Sequence, residues 1–222
     1  MHRIRDEIKS HRIAKANQIR GLVTEYGLVA PQQLHALRRA IPDWLEDAEN
    51  GLSFLFRQLL QGLWGDLYAL DQRMTELDKQ IAAVAQEDPT ARRLQQLRGV
   101  GPLIATALVA TVGDATQFGS ARQFAAWLGL VPRQQSSGGK ERLGRISKRG
   151  DGYLRRLLVH GARIVLFWSR RRKETRSDWL EAMLARRPTN VVMVAMANKT
   201  ARIVWAMLSR GEAFQPGRRA VV

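Results

Sequence analysis

Between residues 54 and 84, apolar side chains recur at alternating steps of four and three. They are Phe56, Leu60, Leu63, Leu67, Leu70, Met74, Leu77, Ile81 and Val84, with Asp66, Arg73, Glu76 and Lys79 between them. This is a four-heptad a/d seam, the pattern of a helix packed lengthwise on another helix. At ~1.5 Å per residue such a helix is roughly 45 Å long. Gly62 and Gly65 each cost it about 1 kcal/mol relative to alanine, so it needs a packing partner. Residues 3–26, closed by Gly27 as a C-cap, offer a weaker stripe of Ile8, Ile19, Leu22 and Tyr26. A second copy of the chain is the other possible partner. The preferred reading is a dimerising coiled coil, with an ordinary buried bundle helix as the alternative.

The rest of the chain also reads as helix and loop, with no alternating β-branched run that would make a strand. Residues 28–50 contain Pro31, Pro42 and an acidic stretch at 43–49, which suggests short helices and a connector. Glu87-Asp88-Pro89-Thr90 breaks the long helix. A helix over 120–129 follows, with Ser120 as N-cap and Phe124 and Trp127 facing a core. A long polar stretch, 131–152, leads to a helix over 153–168. Its expected apolar face is Leu154, Leu157, Leu158, Gly161, Val165 and Trp168, with Arg155, Arg156 and Arg163 on the other sides. Ser177 or Asp178 caps a helix holding Trp179, Leu180 and Leu184. Residues 188–190 open the last long helix, with Val191, Val194, Ala195, Ile203 and Leu208 as core candidates and Gly211 at its end. The expected fold is all-α. A helical coiled-coil region spans residues 1–88, antiparallel or dimerising, and a small helical domain spans 89–212. A flexible tail covers 213–222.

Composition narrows the function classes. The 222 residues contain no cysteine, which removes disulfides, thiolate metal sites and cysteine nucleophiles. The four histidines, His2, His11, His35 and His160, show no metal-ligand spacing, so no metal site is expected. No apolar run is read as approaching the roughly 18–20 residues of a membrane span. The start, MHRIRDEIKS, lacks the apolar segment of a secretory signal. The expectation is a cytoplasmic protein without a membrane partner.

Net charge is +16, and its location matters more than its total. Residues 1–98 hold 14 basic and 13 acidic side chains, whereas residues 99–222 hold 22 and seven. Residues 133–176 alone carry 14 basic against three acidic. Arginines number 29 and lysines seven, which suits phosphate, because guanidinium forks pair with its oxygens. Arg-rich coding bias explains the choice of arginine but not the segregation. A polyanionic partner, nucleic acid, is the better reading.

Two motifs give that partner a chemistry. Within 94–110, a short helix meets Gly99-Val100-Gly101-Pro102 and a second helix begins, an arrangement that resembles a helix-hairpin-helix. Gly99 and Gly101 would let backbone approach a phosphate, and free N–H groups at the helix start would face the anion. The alternative is an ordinary turn, with Gly99 as C-cap and Pro102 at N1. Within 131–152, Ser136-Ser137-Gly138-Gly139 lies among Arg133, Lys140, Arg142, Arg145, Lys148 and Arg149. Alone, Ser-Ser-Gly-Gly is linker composition. Among cations, a serine hydroxyl becomes usable in phosphoryl transfer, because they stabilise both alkoxide and phosphorane charge. Arg155 and Arg156 extend the basic set, and His160 is a possible general base or a structural histidine.

The segment Arg122-Gln123-Phe124-Ala125-Ala126-Trp127-Leu128-Gly129-Leu130-Val131-Pro132-Arg133 is followed by Ser136-Ser137-Gly138-Gly139 and by Gly144-Arg145-Ile146-Ser147-Lys148-Arg149-Gly150. With Leu154-Arg155-Arg156-Leu157-Leu158 and Ala197-Asn198-Lys199-Thr200-Ala201-Arg202, this resembles the C-terminal domain of one transposase family. That family is the DEDD transposases of one-ten/eleven-eleven insertion sequences, which act as bridge-RNA-guided recombinases. The resemblance runs through nearly the whole chain. It implies DNA transposition and recombination, with Ser137 as the nucleophile that forms a phosphoserine link to DNA and a structured guide RNA as partner. It also implies an N-terminal RNase H-like domain with four metal-binding carboxylates, which has no counterpart in these residues. Mg is therefore expected only with that domain, and this polypeptide alone is expected to bind nucleic acid and self-associate with little or no turnover. The alternative is a non-catalytic nucleic-acid-binding and dimerisation module.

Overall fold

The computed structural model describes residues 1–134, 143–171 and 177–214, and these form nine α-helices, a single 3₁₀ turn and one two-stranded ribbon. The chain divides into two compact units, Met1–Gln80 and Ile81–Val222.

In the first unit, α1 (His2–Glu25) runs antiparallel along α3 (Phe54–Glu87). Ion pairs set the register: Arg5 with Asp78 at 2.5 Å, Arg12 with Asp71 at 3.3 Å and Lys15 with Asp66 at 3.0 Å. Residue numbers rise on α1 as they fall on α3, and Arg38 of α2 (Leu34–Glu46) joins Asp71. Helix α1 stops at the glycine that its pattern indicates. Gly27 takes φ 78°, its N–H meets the Thr24 carbonyl at 2.9 Å, and Leu28 N–H meets Val23 at 3.2 Å.

Pro42 lies inside α2 and not in a connector; lacking an N–H, it leaves the Arg38 carbonyl without its helical donor. The α2–α3 connection is closed by Arg57. Its guanidinium donates to the carbonyls of Trp44, Leu45, Asp47 and Leu52 and to Asn50 Oδ1. The core of this unit includes Ile19, Val23, Leu37, Ile41, Leu60 and Leu67, all fully buried. One row of the seam, Leu60, Leu67 and Met74, is thus covered within the chain. The other row, Leu63, Leu70 and Leu77, is half-buried, and Leu55 and Leu59 stand exposed beside it.

The second unit begins within α3 and continues with α4 (Pro89–Leu94). The Asp88 carboxylate caps α4, accepting from the Thr90 and Ala91 N–H groups at 2.7 and 3.2 Å. Then come α5 (Pro102–Val112), the 3₁₀ turn Ala115–Gln117, α6 (Ala121–Trp127), β1 (Pro132–Gln134) and β2 (Leu143–Ile146). Helices α7 (Gly152–Arg171), α8 (Asp178–Arg186) and α9 (Thr189–Arg210) complete it.

Helix α9 is the central element, packed on α6 and α7 with further contacts to α4 and α8. By length and composition alone α9 could cross a membrane, contrary to the reading that no segment approaches that length. Here it is a core helix, with Val192, Ala197, Ala201 and Val204 fully buried. Its inward face is offset from the expected one, and Val191 is 49% exposed. Apolar residues encircle most of α9, so periodicity alone does not select a face.

Two further expectations change. Trp168 is 50% exposed, and Ala162, Leu166 and Ser169 take the inward positions of α7. The stretch expected as loop contains an antiparallel ribbon, pairing Pro132 with Ile146 and Gln134 with Leu143 around an irregularity. Strands of three and four residues carry too little alternation to be read from sequence.

The burial of the seam is directly testable. Leu67→Ala should cost about 2–5 kcal/mol in urea unfolding, while Leu59→Ala, at a position 58% exposed, should change stability by no more than about 0.5 kcal/mol. Equal destabilisation by the two would contradict the assignment of the covered row.

Candidate nucleic-acid interface

The site grows from the end of α6. Ser120 Oγ accepts the Gln123 N–H at 3.2 Å and fixes the helix start. At its end, Gly129 turns out at φ 69°. Its N–H meets the Ala126 carbonyl at 2.9 Å, and Leu130 N–H meets Ala125 at 3.0 Å. Leu130 is 1% exposed and anchors the exit. The chain returning from β2 lies against this turn, with Ser147 N–H donating to Val131 at 2.8 Å and Lys148 N–H to Gly129 at 3.1 Å.

No side chain fits at this crossing. A Cβ on Gly129 would stand 2.2 Å from the Arg149 carbonyl oxygen, and one on Gly150 would stand 1.7 Å from that of Trp127. Both glycines have positive φ, and so does Lys148 at 55°, a conformation that a side chain disfavours.

Side chains reinforce the crossing. Arg155 Nη1 donates to the Leu128 carbonyl at 2.9 Å and the Arg149 carbonyl at 3.5 Å. Asn198 Nδ2, from α9, donates to Leu130 at 3.1 Å. Asp151 Oδ1 accepts the Leu154 N–H at 2.9 Å and starts α7. Four motif blocks far apart in sequence, around 122–133, 144–150, 154–158 and 197–202, are thereby joined.

The ribbon held by this junction displays the cations. Arg133 on β1, Arg145 on β2, and Lys148 and Arg149 just after it are all exposed. Among the described residues none of the four forms an ion pair. Two open depressions flank the ribbon and share Arg133. Gln134, Ser147 and Arg149 line one; Gly144, Arg145, Ile146 and Lys148 line the other. Arg133 Nη2 also donates to the Ser147 carbonyl at 3.2 Å, and Ser147 Oγ is buried with no partner among the described atoms. Like charges gathered on an exposed ribbon favour a polyanion. Ser137, Lys140 and Arg142, with Ser136, lie outside the described residues.

The remaining predicted residues divide. Gly99, at φ 84°, is pressed against α7, where an added Cβ would stand 2.7 Å from the Gly161 carbonyl oxygen. Its conformational freedom therefore serves a helix contact. Gly101 has open space around it and caps α5. Arg155 is engaged with carbonyls, whereas Arg156 is exposed on α7, 5.8 Å from the Tyr153 ring centroid. His160 is exposed on the same helix. Arg171, exposed on α7, belongs to the basic run 170–173, which the sequence offers equally as a phosphate or RNA contact or a solvated helix end. Missing from the sequence reading were Phe167, also exposed on α7, and the tying role of Asn198. No group of three or more His, Asp or Glu among the described residues could hold a metal ion, so the donors in hand do not fit a divalent cation. Charge follows the two units: residues 1–80 balance eleven basic with eleven acidic side chains, and residues 81–222 hold 25 against nine.

Comparison with known proteins gives this basic helical unit its class. Residues 91–177 match the family described as Transposase IS116/IS110/IS902. The chain is 47% identical over 98% of its length to a probable family 20 transposase of Pseudomonas aeruginosa, covering 64% of that protein. It is 40% identical over 97% of its length to the transposase for insertion sequence element IS1111A of Coxiella burnetii, covering 59% of it. With the transposase for element IS1328 of Yersinia enterocolitica the figures are 35%, 96% and 63%. The chain thus spans about three fifths of the length of these curated relatives. Residues 91–177 thus carry the domain of the IS116/IS110/IS902 transposase family, within a chain similar over nearly its whole length to curated transposases.

The backbone crossing supplies a test. Gly150→Ala meets both a positive φ and the Trp127 carbonyl, so it should cost upwards of about 2 kcal/mol. Melting should drop by several degrees, whereas Gly101→Ala should shift it little. An unchanged melting temperature for Gly150→Ala would refute the close approach.

Proposed function

We propose that this chain is the DNA-engaging, strand-exchanging portion of a transposase, and that the ribbon of Arg133 and Arg145, with Lys148 and Arg149, seats a nucleic-acid phosphate. The observation that carries this reading is the gathering on one ribbon of exposed cations that form no ion pair among the described residues. The segment 135–142, which contains Ser137, joins the two strands of that ribbon in sequence. The family resemblance supports Ser137 as nucleophile.

In the step it implies, Ser137 Oγ loses its proton and bonds to phosphorus. The phosphorus–oxygen bond to one deoxyribose breaks, and that oxygen leaves with a proton from solvent. The phosphoserine conserves the phosphoester, so a hydroxyl of another strand can displace the serine and complete exchange. The chain's own contribution is to hold the phosphate and to spread charge from its oxygens onto guanidinium groups. Mg, with the RNase H-like domain that the resemblance implies, would be supplied by residues outside these 222. A structured guide RNA is a second polyanion for the same basic unit. Self-association through the half-covered seam of α3 accounts for Leu55 and Leu59 at the surface.

Two variants separate catalysis from binding. Ser137→Ala, in a complex supplied with the RNase H-like domain and RNA, should abolish covalent DNA attachment on denaturing gels and leave affinity intact. Arg133→Ala combined with Arg145→Ala and Arg149→Ala should weaken duplex binding. For every phosphate that the variant no longer neutralises, the slope of log K against log salt should flatten by about one. Unchanged affinity and slope would remove the ribbon from the interface.

A further inference from the structure

Helix α7 carries a second surface that phosphate binding does not use. Arg156, His160, Arg163, Ile164, Phe167, Trp168 and Arg171 follow one another at helical steps of three, four and one, and all are exposed. Such spacing places them along a single face. Ile164 is 56% exposed, Phe167 49% and Trp168 50%, an unusual concentration of large apolar side chains at a surface. The two rings meet edge to face with centroids 5.8 Å apart. The Arg171 guanidinium lies 4.5 Å from the Phe167 centroid and 5.8 Å from that of Trp168.

Charge selects the occupant. From Gly152 to Arg171 the helix contains five arginines and no Asp or Glu. A protein surface seated on this face would have to bury or neutralise those guanidinium groups. An unpaired nucleic-acid strand satisfies both features, since its bases stack on aromatic rings and its phosphates meet arginines. Duplex DNA offers the phosphates, but its bases are already stacked on one another.

We infer that the face of α7 formed by Phe167 and Trp168, flanked by Arg163 and Arg171, is a stacking platform for unpaired bases of a single-stranded nucleic acid. This rests on the reading of the second unit as nucleic-acid-binding and adds to it a site distinct from the ribbon. Strand exchange necessarily exposes unpaired bases, and a platform of this kind holds them without regard to sequence.

The test uses the 222-residue chain with a 20-nucleotide single strand containing 2-aminopurine, and with the corresponding duplex. Binding of the single strand should change the 2-aminopurine fluorescence as the base stacks. Phe167→Leu combined with Trp168→Leu keeps apolar bulk and removes the π faces. It should lower single-strand affinity at least tenfold and abolish the fluorescence change, at unaltered duplex affinity. Base–aromatic stacking accounts for roughly five- to a hundredfold per base. Phe167→Tyr combined with Trp168→Phe should retain both signals, and circular dichroism with melting checks the fold of each variant.

If the leucine pair leaves the fluorescence change and affinity intact, the platform is refuted while the ribbon stands. Equal weakening for single strand and duplex, or a change only in self-association by sedimentation, would also overturn it. If the unmodified chain binds neither form, the nucleic-acid reading itself falls and the platform with it.

Discussion

The arrangement of the basic ribbon depends on a place where two stretches of backbone pass too closely for any side chain. The end of α6 and the exit of β2 meet at Gly129 and Gly150, and the Trp127 and Arg149 carbonyls occupy the positions that Cβ atoms would take. That close approach fixes where β2 leaves the ribbon, and hence where Arg145, Lys148 and Arg149 stand relative to Arg133. Arg155 and Asn198 then tie α7 and α9 to the same turn through the Leu128, Arg149 and Leu130 carbonyls. Arg155, engaged by carbonyls, stabilises the frame, while Arg145, Lys148 and Arg149 stand exposed. The division between structural and displayed arginines is therefore a consequence of the crossing.

The two units differ in the same physical terms. In Met1–Gln80 opposite charges are matched in number, and several are paired along the α1–α3 register. Surface pairs of this kind contribute little each, about 0–1 kcal/mol, so the buried row of α3 carries the packing and the pairs select alignment. In Ile81–Val222 the excess of cations is carried on a ribbon and a helix face, over a core supplied by α9 and its neighbours. On the proposed function, the neutral unit serves association and the basic unit engages nucleic acid.

Much of this was legible in the sequence, for identifiable reasons. The long helix was readable because nine apolar residues hold one register over four heptads, and helix ends at Gly27, Ser120 and Ser177 were readable because capping chemistry is local. The charge block needed only counting. What escaped depends on tertiary contact. Gly99 carries the signature of a phosphate-facing turn, yet its positive φ serves an approach to Gly161 across the unit. Helix α9 is apolar on too many sides to declare its inner face. Trp168 continues the three- and four-residue steps of Leu154, Leu158, Gly161 and Val165 and so reads as inward-facing; its register with Phe167 and Arg171 shows a different stripe. The ribbon is too short to announce itself, and Ser137 lies outside the described residues, so its expected role as nucleophile rests on family resemblance alone, while the exposure of Arg133, Arg145, Lys148 and Arg149 rests on geometry.

The most direct measurement is a structure of the chain bound to duplex DNA. The expected result is a backbone phosphate within salt-bridge distance, about 4 Å, of at least two of Arg133, Arg145 and Arg149. DNA seated on Met1–Gln80, with the ribbon arginines facing solvent, would contradict it.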